Sequence, residues 1–180
     1  MKSVVCQNKE LSVVEREPLK PAKGQVLLEV LRCGICGSDL HMRQHCDHMQ
    51  KSIRGQGYEH FPSSKDPVVF GHEFCGEVVD FGPKTKKRVK PGSMVCAVPL
   101  LRLEDRIDLI GLSATSAGAY AEQIIVQEAL MMPVPNGLPA DEAALTEPMA
   151  VGLHAVNRSE IRKRDVAIVI GCGPVGLAVI

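Results

Sequence analysis

The sequence predicts a mainly β domain, built as a barrel or sandwich with short helices, that runs into the opening of an α/β nucleotide-binding unit. Three observations point there. Short strand-like runs recur between residues 11 and 126, and the hydrophobic period changes after Pro139. An apolar run at 165–170 then feeds straight into Gly171-Cys172-Gly173-Pro174-Val175-Gly176.

Taken in order, residues 11–15 and 25–31 are rich in Val and Leu and read as strands. A turn region holding Pro18, Pro21 and Gly24 parts them. From His41 to Pro67 the chain is polar and rich in His and Gly, which reads as a helix followed by a long loop. Long loops in compact domains commonly carry function. Residues 77–81, 93–98 and 120–126 continue the strand pattern, and the basic run 84–90 before Pro91-Gly92 reads as a solvated hairpin. Beyond Pro139, Asp141 and Glu142 suit the positive end of a helix dipole, which predicts a helix over 141–157. Residues 165–170 predict a buried strand and Leu177 a helix start. A glycine loop between strand and helix is the setting in which backbone amides cradle a dinucleotide pyrophosphate. The expected division is 1–138 for the β domain, and 139–180 for a linking helix and the truncated start of the nucleotide-binding domain.

Composition excludes several classes. The 180 residues are 45% hydrophobic, 23% charged and 3% aromatic, which fits a soluble globular protein. A formal net charge of +0 offers no field to draw the chain to nucleic acid or anionic lipid, so neither partner is expected. No apolar stretch approaches the ~20 residues that span a bilayer, and the first eight residues lack the apolar core of a secretion signal. Seven cysteines, an odd number without a disulfide spacing, point to a reducing cytoplasmic setting.

The densest chemistry lies in Gly34-Ile35-Cys36-Gly37-Ser38-Asp39 and Gly71-His72-Glu73. A thiolate, an imidazole and a carboxylate are each flanked by glycines that permit sharp turns and close approach. Three mixed N, S and O donors with a fourth position open is the composition of catalytic zinc, whereas closed structural sites use four ligands and favour cysteine.

These segments, followed by Lys90-Pro91-Gly92, the stretch Glu147-Pro148-Met149-Ala150-Val151-Gly152-Leu153-His154-Ala155 and the glycine fingerprint, resemble in order the zinc-dependent medium-chain dehydrogenases. That family includes alcohol, polyol and threonine dehydrogenases. The resemblance spans nearly the whole chain. It implies a GroES-like β-barrel catalytic domain, followed by the first strand and glycine loop of a Rossmann domain. It further implies hydride transfer between the CH–OH group of a small alcohol or polyol and NAD or NADP, which this sequence does not separate.

Carried over by position, Cys36 and His72 match the zinc ligands, with Glu73 and Glu147 as rival third donors. Ser38 and His41 match a proton relay, in which a hydroxyl passes a proton toward an imidazole near solvent. Asp39 matches an acid that orients His72 through its other ring nitrogen. The plainer reading of Ser38 and Asp39 is helix capping, with which the relay is compatible. Gly171, Gly173, Pro174, Val175 and Gly176 match the cofactor loop.

Other features take plain readings. Cys33 ends a strand and reads as packing despite the Cys-x-x-Cys it forms with Cys36. Cys6, Cys75, Cys96 and Cys172 read the same way. His45 and His48 share a helical face with His41 and read as solvated. Residues 100–119 hold no cysteine, where many family members carry a four-cysteine zinc lobe, so one catalytic zinc and no structural zinc are expected. The acidic residue that would read the cofactor ribose lies beyond Ile180, and the chain alone is expected to be inactive. The resemblance leaves room for a homo-oligomer of a longer protein. Two alternatives stand beside this reading: a non-catalytic zinc-binding β-barrel module, and a metal-free enone or quinone reductase. A relay beside Cys36 argues against the first, and the Cys and His ligands against the second.

Overall fold

The structure, a computed structural model, describes residues 1–180 and is mainly β with few short helices. Strands β1 (Lys2–Gln7) and β2 (Glu10–Glu15) form a hairpin through Asn8 and Lys9, whose φ values of 51° and 69° suit a tight two-residue turn. The long strand β3 (Gln25–Cys33) leads into helix α1 (Gly37–Arg54). After a loop, the two-residue β4 (Val68–Val69) pairs with β1, making a small sheet of order β2-β1-β4. β5 (Phe74–Phe81) and β6 (Met94–Ala97) follow, then the β7 (Leu100–Arg102) and β8 (Ile107–Leu109) hairpin, then β9 (Gln123–Gln127) and β10 (Met131–Pro133). The main antiparallel sheet runs β10-β6-β5-β3-β9, with β3 between β5 and β9.

Residues chosen for a half-buried pleat build this sheet. Val26, Leu28, Val78, Val95, Ile124 and Val126 point into one core at almost zero exposure. Each such side chain stabilises the fold by roughly 1.5–3 kcal/mol relative to solvent exposure. A second core under α1 gathers Cys6, Met42, Cys46, Phe61, Val68 and Phe70. The two layers meet where Val4 N–H donates to the Tyr120 carbonyl (2.7 Å).

Three expectations change. The helix over 141–157 is two helices, α2 (Ala140–Ala143) and α3 (Thr146–Ser159). Pro148 explains the break: its ring nitrogen cannot donate to the Ala144 carbonyl, and proline fits a first turn, where that donor has no partner. The 165–170 strand is not formed. No strand of the chain lies alongside it, and Val166, Ile168 and Ile170 are 92%, 84% and 96% exposed. A strand needs a neighbour for its hydrogen bonds and its apolar faces, so propensity alone leaves this run unpaired. The basic run 84–90 lies, as expected, in the solvated loop of a hairpin, the one that joins antiparallel β5 and β6. Its Lys86 and Arg88 amides donate to the buried Glu128 carboxylate (2.7 and 3.3 Å). Cys172 is exposed in the glycine loop and packs nothing.

Candidate functional site

Two chain crossings build the site. The β3–β5 ladder shifts register between Val30 and Arg32, so the end of β3 bends as bulged strands do beside many sites. The bend delivers Cys33-Gly34-Ile35-Cys36 to the start of α1, where Cys36 is the N-cap. From the other side, residues 70–73 connect β4 to β5 and bring in His72 and Glu73, both buried. Donor atoms of Cys36, His72 and Glu73 lie within 4.8 Å of one another.

Both flanking glycines are required by sterics. A Cβ on Gly34 would collide with the Glu73 carboxylate. Gly71 has φ of 98°, and a Cβ there would stand 2.6 Å from the Tyr120 ring and 2.8 Å from Cys33 Sγ.

Asp39 organises the polar groups. Its Oδ2 accepts the Cys36 N–H (3.0 Å) and the Tyr120 hydroxyl (3.0 Å). Its Oδ1 faces His72 Nδ1 at 3.4 Å, longer than a closed hydrogen bond, and both atoms are buried with no other partner. That fixes which way the imidazole turns: Nε2 is left on the side of Ser38, whose Oγ lies 3.4 Å away. Burial alone would lower the His72 pKa. The Asp39 carboxylate, with help from Cys36, outweighs it and pushes the value up to about 9. Cys33 lies beside the cluster, half-buried. Burial, then Asp39 and Glu73, push its thiol up to about 12, which makes it a packing group.

The donor set suits zinc. It offers a thiolate, a ring nitrogen free of its carboxylate partner, and a buried carboxylate, with the imidazole oriented by Asp39 through its other nitrogen as metal-binding histidines usually are.

Glu147 stands outside the three-donor cluster but faces it. It is half-buried near the start of α3, and its pKa is raised by burial, opposed by His72 and reinforced by Glu73 and Asp39. It lines a cavity of about 280 Å³ with Phe74, Cys96, Val98, Met132 and His154. The walls are therefore β5, β6, β10 and α3. The loop after His48 and the 101–112 region lie elsewhere: Phe61 fills the second core, and Asp108 organises a lobe.

His41 is not joined to Ser38 by any hydrogen bond. It lies exposed on α1, its ring 4.8 Å from that of His45. Gly171 to Gly173 form an exposed turn in which Gly173 caps α4 (Pro174–Val179), and Pro174, Val175 and Gly176 make the first turn of that helix. This loop sits apart from the three-donor cluster in sequence and is preceded by the unpaired 165–170 run.

Sequence reasoning missed Tyr120, Glu128 and Asp108. Asp108 is fully buried and accepts from Ser113 Oγ (2.7 Å), Thr115 Oγ1 (2.6 Å), Ser116 Oγ (2.9 Å), Arg106 Nε (2.8 Å) and the Tyr58 hydroxyl (3.2 Å). Burial would raise its pKa; these donors overcome that and hold the carboxyl well below the usual range. The one available signal was the Ser/Thr-rich run 113–116 shortly after Asp108.

Residues 22–136 match the alcohol dehydrogenase GroES-like domain family. The chain is 35% identical over 183 residues to (R,R)-butanediol dehydrogenase of Bacillus subtilis, covering 96% of this chain and 51% of that protein. The crystal structure of 2R,3R-butanediol dehydrogenase from Bacillus subtilis superposes with a TM-score of 0.80 at 33% identity, over 99% of this chain and 53% of that one. Acetophenone reductase from Geotrichum candidum in complex with NAD gives 0.79 at 26% identity, over 98% and 52%. The chain thus spans about half the length of the relatives it matches. No helix is long and apolar enough to cross a membrane.

Proposed function

Because this chain belongs to the zinc-type medium-chain dehydrogenase family through its alcohol dehydrogenase GroES-like domain, we propose that it is the metal-binding part of an oxidoreductase acting on a small alcohol or polyol with NAD or NADP. The observation that carries this is the convergence of Cys36, His72 and Glu73 donor atoms within 4.8 Å. Cys36 and His72 would hold one zinc with Glu73, and Glu147 is the rival carboxylate. Zinc, when bound, supplies a Lewis acid that makes a substrate hydroxyl easier to deprotonate.

The chain's own residues then divide the work. Asp39 orients His72 by facing Nδ1, and Ser38 offers a hydroxyl beside the metal-facing side of that ring. Ser38 takes the substrate proton and His41, exposed on α1, releases it to solvent; the gap between them is bridged by water or by movement of α1. The apolar cavity beside Glu147 excludes water from the reacting carbon. Gly171, Gly173, Pro174, Val175 and Gly176 form the cofactor loop, and the division at residues 138 and 139 separates the two units. The cofactor supplies the hydride acceptor.

The butanediol relative favours a vicinal diol or short polyol among substrates. Seven free cysteines support a reducing, cytoplasmic setting, and a homo-oligomer is proposed only for a longer protein. The unpaired run before the glycine loop supports negligible turnover by this chain alone. Metal analysis of the purified chain and of Cys36→Ser tests the reading. About one zinc in the wild type and a large loss in the variant are expected. Equal zinc in both, or robust diol oxidation by the chain alone, overturns the corresponding part.

A further inference from the structure

Cys75 and Cys96 face each other across β5 and β6. The register pairs Gly76 with Val95 and Glu77 with Met94, which sets Cys75 directly opposite Cys96 with both side chains on one face. Val78 N–H donates to the Ser93 carbonyl (3.0 Å). Alternation along the ladder then makes the cysteines a non-hydrogen-bonded pair, the class whose Cα atoms approach to about 4.5 Å. That is inside the ~4.4–6.8 Å window that a disulfide spans.

The two thiols are free and share a small buried cluster with Ala143 and Ala144. They are not equivalent. Cys96 forms part of the cavity wall beside Glu147, where a small solute can reach it. Its hydrogen bond with Cys75 lowers its pKa, burial opposes this, and Thr146 adds to the lowering. Cys75 has no exposure and lies beside it in the same buried cluster. Redox-responsive pairs combine one accessible, thiolate-prone sulfur with a resolving thiol beside it.

We propose that Cys75 and Cys96 are a peroxide-responsive dithiol, in which Cys96 is attacked from the cavity and Cys75 resolves it to a disulfide. In the first step the Cys96 thiolate attacks hydrogen peroxide. An S–O bond forms, the O–O bond breaks, and the leaving hydroxide takes up a proton to become water. In the second, the Cys75 sulfur attacks the Cys96 sulfenic sulfur. The S–S bond forms, the S–OH bond breaks, and the hydroxyl leaves as water with the Cys75 proton. Two electrons pass from the sulfurs to the peroxide, and two waters result.

The consequence reaches the cavity. In the reduced state the Cys96 thiol donates to the Ala143 carbonyl (3.1 Å), which also accepts from Thr146 Oγ1 (2.7 Å). That carbonyl closes α2 immediately before the helix carrying Glu147. Oxidation removes the Cys96 donor and draws its sulfur toward β5, loosening the α2–α3 corner and reshaping the cavity wall. This inference stands on the pair itself and does not depend on the proposed activity.

Hydrogen peroxide treatment of the native chain, followed by alkylation in denaturant, proteolysis without reductant and mass spectrometry, tests it. The basic run 84–90 places cleavage sites between the two cysteines. A cross-linked Cys75–Cys96 peptide pair, two hydrogens lighter and released by dithiothreitol, is expected. In Cys75→Ser and Cys75→Ala the same treatment should leave Cys96 as a sulfenic acid captured by dimedone. Recovery of both cysteines alkylated while Cys172 is oxidised overturns the proposal, as does linkage of either to any other cysteine.

Discussion

Tyr120 donates its phenolic hydrogen to Asp39 Oδ2 at 3.0 Å, while the other oxygen of that carboxylate faces His72 Nδ1 at 3.4 Å. The phenol therefore fixes the group that fixes the imidazole. Tyr120→Phe keeps the ring that packs against Gly71 and removes only the donor. Zinc affinity of the chain should fall about tenfold, the lower end of what partners of metal ligands contribute. Competition with a chromophoric chelator measures it, and an affinity equal to wild type removes Tyr120 from the site.

The two carboxylates separate by substitution. Glu73 has a donor atom in the Cys36–His72 cluster, and Glu147 does not. Glu73→Gln should weaken zinc binding by about tenfold or more, and Glu147→Gln by much less. The reverse order makes Glu147 the third ligand.

Gly34 and Gly37 flank the same cysteine yet should respond oppositely to alanine. At Gly34 a Cβ meets the Glu73 carboxylate, whereas at Gly37 nothing lies within 4 Å. Gly34→Ala should cost about 1–3 kcal/mol and reduce zinc content. Gly37→Ala, inside the first turn of α1, should stabilise by about 0.4–1 kcal/mol. Urea unfolding of the two variants distinguishes them.

Much of this was legible because local chemistry and tertiary structure agree. Residues 25–31 are apolar enough to be a central strand under any packing, and the glycines beside Cys36 and His72 announce close approach. The failures share a cause. The 165–170 run has the composition of a buried strand, but pairing is a property of two segments, and no strand of this chain lies beside it. β1 and β4 were missed for the complementary reason: β4 is two residues long and is a strand only because β1 offers it an edge. At the site, residue types pointed to the three donors that converge, while the Tyr120 partnership joins positions that no periodicity connects.

Asp108 gives the stability of the chain a pH dependence of definite sign. Its folded pKa is depressed below the ordinary carboxylate value of about 3.9. The stability it contributes is therefore fully present above that value and declines as pH falls below about 4, through the depressed folded pKa. Asp108→Ala leaves Arg106 and four hydroxyls without their acceptor and should cost about 3–5 kcal/mol at neutral pH. Its unfolding free energy should also lose part of the acid dependence below pH ~4 that wild type shows. Denaturant titrations across pH check both effects, and parallel pH curves for the two proteins would contradict the assignment.

A lobe organised around a carboxylate draws nothing from a cell's metal supply. Zinc starvation, a chelator or an oxidant would dismantle a lobe clasped by cysteines, but none of these has a target among Arg106, Asp108, Ser113, Thr115 and Ser116. The catalytic-type cluster and this lobe are thus exposed to different hazards. Were zinc held at the Cys36 cluster, its loss would leave the Asp108 contacts in place.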